Sequence, residues 1–363
     1  MWIIVTIIIA IALTFLFAVI WLRQNIKWIF QRVHGDKFFK LPLAERQALR
    51  LKIQGKARVI KFLTKPMALL GIRSPVTNYD GVQVPSVCTE KSMQFAVDYQ
   101  PESNDIFVAT QMKCGTTWMQ QIVHQILTRG EGEFSDGGHR HMYAISPWIE
   151  SEGSVHLNDA PLVEDHRIIK THLNTNQCPY SDEAKYIYVA RHPAACLASS
   201  IDFIGTLMGH MAPQNGRYTD WFCSDDMWWG DWPSHVAAWW DWSIEKDNVL
   251  FVHYEALLDD PLAYAKDIAN FLGVVLTPVQ LSEVVRKSSY QYMKDNEFYF
   301  EMSPPMPFDT GNKSLFVSGK RDRGSDVSEA DRHRVLSFCR EKLDGRAYAS
   351  SGFYPDLLGD GIQ

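Results

Sequence analysis

The chain has 363 residues, 46% hydrophobic and 21% charged, with 36 Lys or Arg against 42 Asp or Glu and a formal charge of −6. That acidic balance offers no overall cationic field to a nucleic acid, and no internal repeat or low-complexity tract points to a solenoid or a disordered chain. Six cysteines (88, 114, 178, 196, 223 and 339) form no CxxC pair and show no metal-ligand spacing, so a disulfide scaffold and a zinc module are both excluded.

Residues 2–22, WIIVTIIIAIALTFLFAVIWL, carry no charge over a length that spans a bilayer. Trp2 and Trp21 stand at the two ends, where aromatic belts form. A cleaved signal peptide is the competing reading, but no basic n-region, short apolar core or small-residue cleavage site is evident. Residues 1–22 are therefore expected to be an uncleaved transmembrane anchor.

Residues 23–73 hold 13 Lys or Arg and two acids, Asp36 and Glu45, a balance of +11 that leaves −17 for residue 74 onward. Positive flanks stay on the cytoplasmic side, so the following domain is expected to face the cytoplasm. Residues 23–78 read as a basic juxtamembrane helical segment. Against an anionic leaflet each near-surface charge contributes about 1 kcal/mol. The amphipathic spacing of LAERQALRLKIQGKARVIKFL also fits a solvated basic helix pair. Reduced thiols suit the same compartment, and the Asn312-Lys313-Ser314 sequon matters only if the topology is reversed.

Residues 79–363 form the third unit. Strands are expected near 105–110, 167–171, 185–190 and 249–254, alternating with helices near 116–128, 193–204, 234–246, 261–272 and 328–343. That alternation predicts an α/β domain with a central parallel sheet covered by helices. Residues 295–326, with Pro304, Pro305 and Pro307, read as a long loop suited to a lid.

The most informative stretch is DIFVATQMKCGTTW, residues 105–118. A strand leads into a short loop, and a helical pattern starts at once. Backbone N–H groups and the dipole at a helix start favour an anion. Gly115 allows close approach, Thr116 and Thr117 add hydroxyls, and Lys113 adds a full charge. The lysine precedes the only glycine, so the nucleotide-triphosphate pattern G-x-x-x-x-G-K-[ST] is not met.

This loop resembles the P-K-S-G-T-T-W phosphosulfate loop of the cytosolic-type sulfotransferases, with Met112 for proline and Cys114 for serine. Arg191 and Ser199 match the spacing of that family's 3′-phosphate element, with His192 for the usual asparagine. Lys170-Thr171-His172-Leu173 resembles its K-T-H-L strand end. Trp232 to Trp240 resembles its W-x-x-H-V-x-x-W-W helix, and Tyr254-Glu255 the end of a further strand. The resemblance runs from about 79 to about 343 and implies a single α/β domain of the nucleotide-kinase type.

The resemblance implies 3′-phosphoadenosine 5′-phosphosulfate (PAPS) as co-substrate, with no metal required. Lys113, Cys114, Gly115, Thr116, Thr117 and Trp118 would hold its 5′ side, and Arg191 and Ser199 its 3′-phosphate. Tyr254 would reach the adenine edge, with Trp118 and Tyr290 on the two faces. For the blurred C-terminal loop, Lys320 and Arg321 are the favoured donors, with Arg323 and Gly324 as alternates. His172 is the expected base, because an attacking hydroxyl must lose its proton near neutral pH. Lys113 would stabilise charge on the leaving phosphate, and Lys170 would hold the sulfuryl oxygens.

The dimerisation motif K-x-x-x-T-V-x-x-x-E is not recognisable, which leaves the oligomeric state open. Residues 201–232, rich in Met, Phe and Trp, would wall the acceptor site, pointing to a small apolar alcohol or a membrane lipid as acceptor. Two rivals remain: a nucleotide or small-molecule kinase, and an inactive membrane-bound nucleotide-binding protein.

Overall fold

The computed structural model describes residues 2–33, 35–135, 140–212, 217–301, 305–308, 316–317, 319 and 322–357. Helix α1 (Trp2–Val33) outlasts the charge-free stretch, because Arg23, Lys27 and Arg32 are themselves good helix formers. It is long and apolar enough to cross a membrane. Its first part is exposed, whereas Asn25, Ile29 and Val33 are buried. Helix α2 (Leu43–Leu69) buries Ile53, Ala57 and Ile60 against that second part.

Polar contacts fix α2 to the rest of the molecule. The buried Arg46 guanidinium donates to the carbonyls of Phe298 and Arg140, both at 2.8 Å. Arg50 pairs with Glu301 at 2.7 Å. A hairpin follows, β1 (Val76–Tyr79) and β2 (Val82–Pro85), then helix α3 (Glu90–Asp98). β1 thus begins ahead of the expected domain start at 79, and neither the hairpin nor α3 was anticipated from periodicity.

The main sheet is parallel, with β3 (Asp105–Ala109), β4 (Arg167–Thr171), β5 (Lys185–Ala190) and β6 (Val249–His253) in the order β4-β3-β5-β6. These are the four predicted strands, and the α/β architecture is as expected. Both faces of β3 are buried: Phe107 and Ala109 meet Ile169, Tyr186 and Tyr188 in one core, and Ile106 and Val108 meet Ile168, Ile187 and Val189 in the other. That double burial explains why the strands read as continuous apolar runs rather than alternating ones.

Helices α4 (Thr116–Leu127), α5 (Pro193–Leu207), α6 (Trp232–Glu245), α7 (Pro261–Phe271), α8 (Pro278–Lys287) and α9 (Glu329–Leu343) complete the described layers. α8 was missed from sequence, although its capping box, Thr277 with Gln280, was readable there. Trp239 packs fully in the core, as its aromatic neighbourhood suggests.

Candidate active site

Register decides where the chemistry gathers. Ala109 lies opposite Thr171 and Tyr188, and Ala190 opposite His253. The residues just beyond these strand ends, Thr110 to Thr117, His172, Arg191 and Tyr254, therefore share the carboxyl edge of the sheet. The chain also reverses strand order around β3, and open α/β sheets form their crevices at such a point. One cavity sits there.

Of the predicted residues, Lys113, Gly115, Thr116, Thr117, Trp118, Lys170, His172, Arg191, Ser199, Tyr254, Tyr290 and Arg323 line that cavity. Cys114 and Gly324 are not among the lining residues. The Cys114 side chain is buried, with Sγ 3.3 Å from that of Cys196. Gly324 packs on α5, where an added Cβ would come within 3.1 Å of the Ala194 Cβ. Lys320 and Arg321 lie outside the described residues.

The loop after β3 is shaped for close approach. Gly115 caps α4 at φ +108°, and a Cβ there would stand 2.8 Å from Tyr254 Cδ2. Lys113 takes φ +69°, a left-handed conformation that non-glycine residues seldom adopt and that clusters at functional sites. Gln111, which the sequence reading did not single out, donates from Nε2 to the carbonyls of Trp228 (3.0 Å) and Gly230 (3.1 Å). This ties the loop to the aromatic segment across the cavity.

His172 is set as a free base. Its Nδ1–H donates to the Thr110 carbonyl at 2.8 Å, which leaves the Nε2 lone pair available. Burial, then the neighbouring Lys170 charge, holds its pKa well below the ordinary histidine range. The backbone is pinned from two sides. His172 N–H donates to Glu150 Oε1 at 2.7 Å, and its carbonyl accepts from His235 Nε2 at 3.0 Å. His235 is in turn within 2.9 Å of the Tyr188 hydroxyl through Nδ1. Trp148 and Trp229 flank the ring, with centroids at 5.3 and 4.8 Å.

Thr110 was missed from sequence because nothing local marks it. Its hydroxyl lies 2.6 Å from that of Thr116 and 3.2 Å from His172 Nδ1, which links the loop to the base.

Four cations supply the charge of the remainder, Lys113, Lys170, Arg191 and Arg323. Burial, with the facing charges of Lys170, Arg191 and Arg323, pushes Lys113 down to about 7. Burial likewise pushes Lys170 down to about 7, against the opposing influence of Glu150. Lys113 Nζ lies 4.2 Å from the Phe203 ring centroid, and Lys170 Nζ 3.8 Å from that of Trp148. Lys170 also donates to the Tyr143 hydroxyl at 2.8 Å. Arg191 stacks on Tyr254 at 4.3 Å, and its buried Nε has no partner among the described residues. Arg323 pairs with Asp202 at 2.6 Å and Asp326 at 3.0 Å. None of the described lining residues is a carboxylate. Desolvated cations with an orphaned guanidinium N–H suit a phosphorylated or sulfated ligand.

His192 takes no part in the lining. Its Nε2 meets Asp356 at 3.1 Å, and its N–H donates to Glu255 at 3.0 Å, so the replacement of asparagine is absorbed behind the site. The segment 201–232 divides. All of Met208, Trp221, Phe222, Met227, Trp228, Trp229 and Trp232 pack in one core, but of these only Met208, Trp228 and Trp229 also line the cavity.

A parallel α/β sheet with an anion loop, a cationic crevice and a neutral buried histidine defines a group-transfer enzyme for an anionic donor. The family model for the sulfotransferase domain matches residues 103–345, two thirds of the chain, and the chain belongs to that family. Sulfotransferase 1C2 of Oryctolagus cuniculus is 27% identical over 286 residues, covering 76% of this chain and 95% of that one. The 3-alpha-hydroxysteroid sulfotransferase of Cavia porcellus is 31% identical over 247 residues, covering 66% and 84%. Among solved structures, retinol dehydratase in complex with androsterone and inactive cofactor PAP is similar with a TM-score of 0.62. It is 18% identical and covers 76% of this chain and 91% of its own. Mouse sulfotransferase SULT7A1 complexed with PAP gives 0.59 at 20% identity, with 74% and 94% covered.

Proposed function

We propose that this cavity transfers the sulfuryl group of PAPS to the hydroxyl of an apolar alcohol, in an enzyme held at a membrane by α1 with its catalytic domain on the cytoplasmic side. One observation carries the reading: Lys113, Lys170, Arg191, Arg323 and a neutral His172 meet in one cavity whose described lining has no carboxylate. The family match favours sulfuryl transfer over the kinase alternative.

Each residue then has a part. Lys113 and the N–H groups at the start of α4 hold the 5′-phosphosulfate, and Arg191, Ser199 and Arg323 hold the 3′-phosphate. Trp118, Tyr254 and Tyr290 take the adenine. His172 Nε2 receives the acceptor's proton as its oxygen attacks sulfur, and Lys113 stabilises charge on the departing phosphate. PAPS supplies the activated sulfuryl group. Met208, Trp228 and Trp229 give the acceptor end its apolar wall, and a hydroxysteroid sulfotransferase among the relatives supports such an acceptor. The uncharged run of α1 and the basic residues after it support the anchor and its orientation.

Transfer of radiosulfur from labelled PAPS to a panel of apolar alcohols and polar sugars tests the reading with purified full-length protein. Label in the alcohols is the expected result. Label in sugars alone would refute the acceptor class. No transfer, with tight binding of adenosine 3′,5′-bisphosphate (PAP), would mark an inactive binder.

Binding of PAP should also depend on pH. Lys113 and Lys170 sit near 7 in the free protein, so above that pH they are largely neutral. A bound polyanion raises both values, so binding takes up protons. Affinity should fall as pH rises from about 7, by up to about tenfold per unit for each lysine. Calorimetry at pH 8 in two buffers of different ionisation heat should reveal net proton uptake. Equal heats in both would refute it.

A further inference from the structure

Helix α2 is apolar on two sides. The inner stripe is Ile53, Ala57 and Ile60, buried against α1 and the domain. The outer side carries Leu51, Val59, Phe62 and Leu69, followed by Leu70 and Ile72. Phe62 is 75% exposed, Leu69 88% and Leu70 80%. A solvated helix does not normally present its largest apolar side chains to water in a row. Around them the charge is of one sign: residues 46–79 contain eight Lys or Arg and no acid.

Position relative to α1 says what covers this face. The two helices run antiparallel, with Lys56 Nζ 2.5 Å from Asn25 Oδ1 and both Lys52 and Lys56 over the Trp28 ring. From Lys56 to Leu69 is about 20 Å of helix at 1.5 Å per residue, directed back toward the apolar run of α1. That run ends at Leu22, only one turn beyond Asn25. The exposed end of α2 therefore points the same way as the apolar run of α1, toward the bilayer that run would enter, with Lys61 and Lys65 in its last turns and Arg73 just beyond them.

The same end of α2 abuts the acceptor wall. Thr64 Oγ1 lies 2.9 Å from His210 Nε2, and Ser74 N–H donates to the Met211 carbonyl at 2.9 Å. His210 and Met211 directly follow α5, whose Phe203, Ile204 and Leu207, with Met208 after them, line the cavity. Lys61, Lys65 and Arg73 converge on His210 and, after burial, lower its pKa.

We propose that Phe62, Leu69, Leu70 and Ile72, flanked by Lys61, Lys65 and Arg73, seat in the surface of an anionic bilayer, and that the cavity beside them takes a lipid-soluble alcohol from that bilayer. The binding face rests on the reading of α1 as an anchor, and the substrate class on the sulfuryl-transfer reading above. An apolar element inserted about 5–10 Å deep with a basic rim is the usual form of an interfacial helix.

Full-length protein in nanodiscs of phosphatidylcholine, with and without phosphatidylserine, provides the test. Phe62→Cys and Leu70→Cys are labelled with an environment-sensitive fluorophore, and unsubstituted protein gives the background from the half-buried Cys223. The reference is Ile244→Cys, exposed near the end of α6 and so beside the amino-terminal edge of the sheet, away from the cavity. Blue-shifted emission quenched by spin-labelled acyl chains at 62 and 70, but not at 244, is expected. Emission at 62 and 70 as water-like as at 244 overturns the docking. So does shielding that lipid quenchers do not reach, which would indicate a protein on this face.

A combined Phe62→Ser, Leu69→Ser and Leu70→Ser variant separates docking from chemistry. KM for an alcohol dissolved in the nanodisc should rise about tenfold or more, with transfer to the same alcohol in detergent unchanged. Unchanged KM in the nanodisc overturns the route from the bilayer. Lipid quenching at 62 and 70 with no transfer to any alcohol in any medium leaves the docked face standing and refutes the apolar-alcohol reading of the site instead.

Discussion

Replacing His172 by asparagine or alanine should abolish detectable sulfuryl transfer while leaving PAP binding within a few-fold of the parent. A lone general base contributes about 10²- to 10⁴-fold to turnover, so kcat should fall by that factor. Asparagine is the sharper variant, because its amide N–H can still donate to the Thr110 carbonyl that His172 Nδ1 meets at 2.8 Å. Local structure is then retained while the lone pair at Nε2 is lost. Single-turnover kinetics with labelled PAPS and calorimetry with PAP separate the two readouts. Near-normal turnover in the asparagine variant would refute the base assignment. The parent's pH profile offers a second check. Because burial keeps His172 neutral well below its ordinary range, the acid limb of kcat due to this group should lie below that range too.

Arg191→Met should act in the opposite way, with PAP affinity collapsing and kcat at saturating PAPS far less affected. The guanidinium lies over Tyr254 at 4.3 Å, with one buried N–H awaiting a partner. Hydrogen bonds to charged groups contribute about 1.5–3 kcal/mol each, so two to a phosphate correspond to about 10²- to 10⁴-fold in affinity. Folding should survive, because methionine fills the stem volume and removing the charge relieves its repulsion of Lys113. Calorimetry with PAP, with the unfolding midpoint as control, decides it. Unchanged affinity would mean that Arg191 packs against Tyr254 without gripping a phosphate.

The two variants probe positions that differ in how they could be found. His172 and Lys113 stand in short ordered patterns beside strand ends, and a strand end followed by a lysine, glycine and threonines limits the chemistry by itself. Thr110, Glu150 and Gln111 carry no such mark, and His235 stands in the W-x-x-H-V pattern without any local sign that it meets the His172 carbonyl. Thr110 matters because β3 and β4 pair in register and bring it within hydrogen-bond distance of His172, 62 positions away, and the others through contacts equally remote from any local pattern. The aromatic segment 201–232 illustrates the same limit. Composition identified an apolar region, but only packing shows that Trp228 and Trp229 reach the cavity from the core they share with Trp221 and Trp232, which do not.

Sequence alone determined the parallel α/β layout, the charge-free N-terminal run, the anion loop and the identities of the main cations. Each of these depends on local periodicity or on neighbours a few residues apart, which side-chain chemistry encodes directly. Tertiary structure alone decided three further matters. It turned Cys114 away from the cavity toward Cys196 and placed Arg323 among the lining residues. It also folded α2 back along α1, so that its inner stripe reaches His210 through Thr64 while its outer apolar face stays exposed. These follow from strand register and helix packing between segments far apart in the chain, where the energy lies in burial and contact geometry that no local pattern records.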